Sequence, residues 1–319
     1  MQKHFRAAIG TLQRLARGRR LYVEALNPYF GYFYTVKRSL QKRTTSFQKL
    51  RLIDTDELGK VLVIDDITQV AEKNDAYYHE PMVHPALCSH PSPERVLVIG
   101  GGDGGILREV LKYPCVKSVE LAELDDGVIA FSKKHMPALS AGAFDDPRLR
   151  IVVTEGRRYT EENRGSYDIV IMDMTDPSGP SRMLYTKEFF AVVRRSFRNK
   201  NGIFVMHTES PVTRPKGFSC IQRTLRESFS HVTPFYLFIQ MYGTMWSITM
   251  CSDSVDGSRT AASIDARIAK NRIGQLRVYS GATHASMQVP FPFIRTLLAA
   301  KAPIITDARP DFPDDFIAS

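Results

Sequence analysis

The chain has 319 residues, 43% of them hydrophobic and 24% charged, and no apolar run approaches the ~18 residues of a membrane span. Its four cysteines, Cys88, Cys115, Cys220 and Cys251, are far apart with neither CxxC nor Cys/His ligand spacing, which argues against a structural zinc or a disulfide framework and makes a reducing cytoplasm the expected location. The formal charge of +9 is uneven: residues 1–53 hold twelve Lys/Arg and a single acid, Glu24, whereas the remainder holds 31 Lys/Arg and 33 acids.

Residues 1–20, MQKHFRAAIGTLQRLARGRR, carry six Lys/Arg and no acid, with Phe5, Ile9, Leu12 and Leu15 near helical spacing. A solvated basic arm able to touch an acidic surface is the expectation. No long apolar core follows to make it a targeting peptide, and it has few aromatics and no recognised module, so no nucleic-acid partner is expected. Residues 21–80 then read as short β runs: LYVEAL, YFYTVKRSL, FQKLRLIDT, KVLVIDD and ITQVAE, with DELGK as a hairpin turn. They predict a small N-terminal antiparallel β-domain.

After HPSPER the pattern changes. RVLVIG, SVELAE, LRIVVTE, YDIVIMD and GIFVMHT alternate with helical segments after Gly104, Asp126, Arg157, Thr186 and Pro215. Strands separated by helices predict an α/β fold with a parallel, Rossmann-like sheet over 81–300. HVTPFYLFIQ and MWSITMCS would close that sheet as an antiparallel pair, with Trp246 in the core. Residues 301–319 are Pro/Asp-rich and read as an extended surface tail.

The first strand of this sheet runs into VIGGGDGG, where Gly100, Gly102 and Gly105 have GxGxxG spacing. Glu123 ends the next strand, 21 residues after Gly102, the spacing of a carboxylate that takes ribose hydroxyls. Loop and acid together point to a nucleoside-bearing ligand. Asp103, inside the loop, narrows the choice: a carboxylate ~4 Å from a pyrophosphate of charge −2 costs roughly 8 kcal/mol at a dielectric near 20. A nicotinamide or flavin dinucleotide is therefore disfavoured. A cationic cofactor reverses the sign, as S-adenosylmethionine or its decarboxylated form would with a sulfonium and an ammonium. Glu155 ends the third strand, where it would meet an adenine amino group. Asp173 and Asp176 follow the fourth strand and Glu209 the fifth, a carboxylate cluster that repels itself without a cation.

VLVIGGGDGGILREV, FDDPRLRIV, YDIVIMDMTDP and GIFVMHTESP, with YYHEPMVHPAL upstream and LRVYSGATHASMQVPFPF downstream, resemble in order and spacing the polyamine aminopropyltransferases, spermidine synthase above all. The resemblance covers roughly residues 21–300 and implies a class I methyltransferase-type sheet, decarboxylated S-adenosylmethionine as co-substrate with no permanently bound cofactor and no metal, a small amine acceptor with putrescine foremost, and a homodimer or homotetramer. It further implies that Gln48, Gly100, Gly102, Asp103, Gly104, Glu123, Glu155 and Gly156 hold the nucleoside side, with Asp103 on the aminopropyl ammonium. Tyr78 and Asp173 would face the attacking amine. His79, Asp176, Glu209 and Tyr242 would complete the amine site. Glu155 stands for the family's Asp, Met174 for a small residue, Pro81 for Met, Cys or Thr, and IQMYGTMW leaves the loop tyrosine as either Tyr242 or lost to Met241. An amine N-methyltransferase using intact S-adenosylmethionine, or a polyamine- or nucleoside-binding homologue with little turnover, fits the same residues.

Overall fold

The computed structural model describes residues 18–177, 179–274 and 276–313. The arm expected over 1–20 lies outside them save for its last three residues, as do the last six of the tail. Five antiparallel strands in sequential order form the first sheet: β1 (Arg20–Asn27), β2 (Phe30–Thr44), β3 (Lys49–Thr55), β4 (Lys60–Ile64) and β5 (Ile67–Ala71). In β1 the side chains alternate, as a strand dictates, with Tyr22, Glu24 and Leu26 inward and Val23 outward. One inward position thus holds a carboxylate in place of an apolar group.

Helix α1 (Ala76–Ser89) joins the two sheets and is buried along almost its whole length. The second sheet has seven strands in the order β11-β12-β10-β9-β6-β7-β8. Its parallel members are β6 (Arg95–Gly100), β7 (Ser118–Glu123), β8 (Leu149–Val153), β9 (Ile169–Asp173) and β10 (Ile203–His207). The antiparallel strands β11 (His231–Ile239) and β12 (Thr244–Ser252) complete it beside β10. Helices α2 (Gly105–Leu111), α3 (Asp126–His135), α4 (Pro137–Ser140), α5 (Gly156–Glu162), α6 (Lys187–Ser196) and α7 (Pro215–Arg226) lie between strands; α8 (Ala261–Lys270), α9 (Gly281–Met287) and α10 (Pro292–Ala299) follow the sheet. Val96, Val98, Ile169, Ile171, Ile203 and Val205 line one core face, and Leu97, Ile99, Val170, Met172, Phe204 and Met206 the other. Both faces of β6, β9 and β10 are covered, which is why they read as near-continuous apolar runs, whereas β8 at the sheet edge is largely exposed.

Strand order reverses between β6 and β9, and this switch point is where an open α/β sheet leaves a crevice at its carboxyl edge. Gly100 pairs with Asp173 across it. The tail packs at Ile305, which is 2% exposed, and Asp307 bonds Arg157 and Thr186. Its described residues are otherwise exposed or half-buried, an irregular surface segment anchored at these points.

Candidate active site

Two adjoining cavities lie at the switch point and share Gln69, Tyr78, Met174, Thr175 and Tyr242. The larger, about 1330 Å³ including its open mouth, is lined by the glycine loop, Gln48, Asp65, Glu123, Asp125 and Asp173. Gly100 has φ 75°, and a Cβ there would meet the Asp173 carbonyl oxygen at 2.2 Å, so the loop passes β9 only as glycine. Asp103 accepts a 2.6 Å hydrogen bond from the Gly105 amide, which turns its carboxylate at the start of α2. Glu123 accepts from the Asp125 amide at 2.9 Å. Asp125 caps α3 and accepts from Thr45 (2.6 Å) and Gln48 (3.0 Å), tying the first sheet to this rim. Burial pushes the Glu123 carboxyl up to about 7.

Five carboxylates, those of Asp65, Asp103, Glu123, Asp125 and Asp173, line this cavity, and no lysine or arginine does among the described residues. Such a wall attracts cations and repels phosphate. Asp173 stands at the end of β9 and accepts a 2.7 Å hydrogen bond from the Tyr78 hydroxyl, supplied by α1. Burial, then the charge of Asp103, raises Asp173 to about 6, within reach of proton transfer near neutral pH.

The smaller cavity, about 490 Å³, opens between the sheets and is lined by Glu24, Gln69, Tyr78, Asp176, His207, Arg214, Tyr242 and Trp246 among others. Glu24 accepts from the Thr68 amide at 2.8 Å, and burial pushes its carboxyl up to about 7. Burial keeps His207 below the usual imidazole value. Its Nε2 lies between the Met174 carbonyl (3.0 Å) and the Tyr185 hydroxyl (2.9 Å), and in the tautomer that donates to the carbonyl Nδ1 keeps a lone pair. Nδ1 and the Trp246 indole N–H are buried without a hydrogen-bond partner among the described residues. A ligand with both donors and acceptors would satisfy them.

Gln48, Gly100, Gly102, Asp103, Glu123 and Asp173 line the larger cavity, Asp176 the smaller, and Tyr78 and Tyr242 both. Tyr242 donates to the Gln69 carbonyl and meets Tyr78 edge-on, whereas Met241 is buried in the core, so Tyr242 is the tyrosine that faces the site. Trp246, expected as core, also forms cavity wall.

Five of the expected site residues lie outside the lining of both cavities. Glu155 is exposed and caps α5, accepting from the Arg157 and Arg158 amides, and lines neither cavity. Gly104 and Gly156 also lie outside the lining: Gly104 turns into α2 at φ 83°, and Gly156 lies 2.4 Å (at its notional Cβ) from Ile99. His79 is fully buried behind the loop, with Nε2 3.5 Å from Asp103 and Nδ1 3.4 Å from Asp75. Burial would depress its pKa, but those two carboxylates raise it to about 10, which favours the charged form beside Asp103, and the ring lines neither cavity. Glu209, with φ 66°, sits behind Arg214, which donates to it (3.0 Å) and to Asp176 (2.6 Å). Two members of the acid cluster expected to repel itself without a cation, Asp176 and Glu209, thus find one within the protein.

Glu24, Asp125, His207 and Arg214 were missed in the sequence. Glu24 left a signal, being the one acid in a basic stretch and standing between inward Tyr22 and Leu26. Asp125 left a weaker one as a helix cap two residues after Glu123. Arg214 left none, since its partners are distant in the chain or fixed by a turn.

Residues 75–259 match the family model described as the spermine/spermidine synthase domain, and residues 21–72 that of the spermidine synthase tetramerisation domain. The chain is 37% identical over 288 residues to the polyamine aminopropyltransferase of Nitrosomonas europaea, across 90% of this chain and 88% of that one. It is 36% identical to polyamine aminopropyltransferase 2 of Hyperthermus butylicus, across 86% and 91%. A spermidine synthase crystallised with the transition-state analogue AdoDATO superposes with a TM-score of 0.82 at 31% identity, covering 88% of this chain and 95% of that one. The spermidine synthase of Thermotoga maritima gives 0.81 at 30%, covering 88% and 94%. With two family models spanning both sheets and relatives matched over nearly their whole length, the chain belongs to the spermine/spermidine synthase family and is an aminopropyltransferase.

Proposed function

We propose that the protein transfers the aminopropyl group of decarboxylated S-adenosylmethionine to a short diamine, putrescine foremost, with release of 5′-methylthioadenosine. The observation that carries this is the acid-lined larger cavity with Asp173 and Tyr78 at its junction with the smaller one. Glu123 takes the ribose hydroxyls, Asp103 the aminopropyl ammonium, and Gln48 with Asp125 closes the rim. Glu155 caps α5 through the Arg157 and Arg158 amides, one on each carboxylate oxygen, and its remaining lone pairs are free to accept from the adenine amino group.

The amine attacks the methylene beside the sulfonium: a C–N bond forms, the C–S bond breaks, and the leaving group is a neutral thioether. The obstacle is protonation, since an alkylamine with pKa near 10.4 is neutral about once in 2,500 molecules at pH 7, roughly 4–5 kcal/mol uphill. A sulfonium ~4 Å away opposes the ammonium by about 4 kcal/mol at a dielectric near 20, which nearly offsets that cost. Asp173, oriented by Tyr78, receives the proton as attack proceeds. His207 Nδ1 accepts from the attacking amine, and Glu24 holds the distal ammonium.

A homotetramer is proposed as the working form. Val23, Phe33, Phe30 and Tyr29, 38%, 49%, 53% and 97% exposed, put apolar surface on the β1–β2 hairpin, within the region matched to the tetramerisation model. Among the described residues no helix is long and apolar enough to cross a membrane. The deciding assay supplies decarboxylated and intact S-adenosylmethionine separately with putrescine. A mass gain of about 57 on the amine with methylthioadenosine release supports the proposal; a gain of about 14, from methyl transfer, overturns it.

A further inference from the structure

We propose that Arg214 sets acceptor selectivity, its guanidinium taking the place that the third cationic centre of a triamine would occupy. This rests on the aminopropyl-transfer reading above. Arg214 is 7% exposed and stands just before α7. Its Nη1 donates to Asp176 at 2.6 Å and Glu209 at 3.0 Å, and its Nε to the Leu26 carbonyl of β1 at 3.1 Å. Two distant parts of the chain, with nearby Glu209, therefore hold it in the wall of the smaller cavity. Burial would lower its pKa, but Glu209 and Asp176 keep it charged.

The consequence is a charge count. Three carboxylates surround this end of the site, and two already share a guanidinium. Glu24 forms no ion pair among the described residues and is held by a backbone amide and neutral hydroxyl groups. A diamine whose near nitrogen lies at Asp173 brings one further cation, and Glu24 matches it. A triamine brings two, and the second must either approach Arg214 or displace it from two acids. Like charges brought together in a buried site discriminate strongly against the wrong partner. Removing the guanidinium would release Asp176, which lines the cavity, to meet that second ammonium.

The test measures methylthioadenosine release by the full-length protein with putrescine, cadaverine and spermidine, for wild type, Arg214→Met and Arg214→Lys. The wild type is expected to favour putrescine over spermidine in kcat/KM by about 100-fold or more. Arg214→Met should narrow that ratio by about tenfold, chiefly through a lower KM for spermidine, while Arg214→Lys, which keeps the charge, should retain the diamine preference. A proportional loss for both amines in Arg214→Met, or comparable use of spermidine by the wild type, overturns the proposal. The wild-type profile decides even if Arg214→Met fails to fold, which a lost melting-temperature rise with methylthioadenosine would reveal. If no amine is turned over, the proposed activity fails instead, and calorimetric binding of putrescine against spermidine, with methylthioadenosine present, still decides the inference.

Discussion

The two cavities handle their carboxylates in opposite ways. In the larger one, Asp103, Glu123 and Asp125 are oriented by backbone amides and polar side chains, with the His79 imidazole behind Asp103 and no guanidinium in the wall among the described residues. In the smaller one, Asp176 and Glu209 are bound to Arg214, and Glu24 is buried against neutral partners. Amide-fixed acids present a field ready for a cationic ligand of set shape, because the donors are part of the fold and need no reorganisation. Guanidinium-fixed acids present a balance that one substitution can tip. Donor recognition should therefore be rigid, and acceptor choice is the property that single residues control.

The largest test of this contrast is at the junction. Asp173→Asn should cut turnover by about 10² or more while leaving methylthioadenosine binding close to wild type, since the carboxylate serves proton transfer; stopped assays and calorimetry check both halves. On the donor side, Asp103→Asn should weaken decarboxylated S-adenosylmethionine by about tenfold or more yet hardly affect methylthioadenosine, which lacks the ammonium. Equal losses in calorimetry would remove Asp103 from that role. On the acceptor side, Glu24→Gln should raise KM for putrescine by roughly tenfold at nearly unchanged donor affinity, which initial rates at saturating donor would show.

The smaller effects are those of pH. Asp173 sits near 6 through burial and the charge of Asp103, so kcat/KM should fall as the pH drops below about 6. Glu24 is raised from its ordinary 4.5 to about 7 by burial, so its neutral form is favoured in the folded chain. Its contribution to stability is full below about pH 4.5 and is lost as pH rises through about 7. The ligand-free wild type should lose melting temperature relative to Glu24→Gln between pH 6 and 8, by a few degrees at most in scanning calorimetry. Parallel curves would mean that Glu24 is solvated and ionised throughout.

Much of the larger cavity was legible in the chain because it is local. The glycine loop, Asp103 and Glu123 follow directly from β6 and β7, and adjacent parallel strands deliver their ends to one edge. The departures came where a local pattern had two uses. Glu155 ends a β run, as a base-binding acid would, and the same position caps α5, a second use that the strand pattern did not show. His79 neighbours Tyr78, yet a helix points consecutive side chains in different directions, so one reaches Asp173 and the other packs behind Asp103. The ambiguity between Met241 and Tyr242 was of the same kind, and burial of Met241 resolved it.

Alternation of strand and helix, the apolar runs and the glycine spacing determined the sheet and its ligand edge from the chain alone, because each depends on residues within a few turns of one another. Only the tertiary structure decided how the charges are shared: Arg214 between Asp176 and Glu209, His79 between Asp75 and Asp103, and Glu24 carried from the first sheet to the wall of the second. Charge interactions act through space, so their outcome depends on which side chains the packing brings together, whatever their order along the chain.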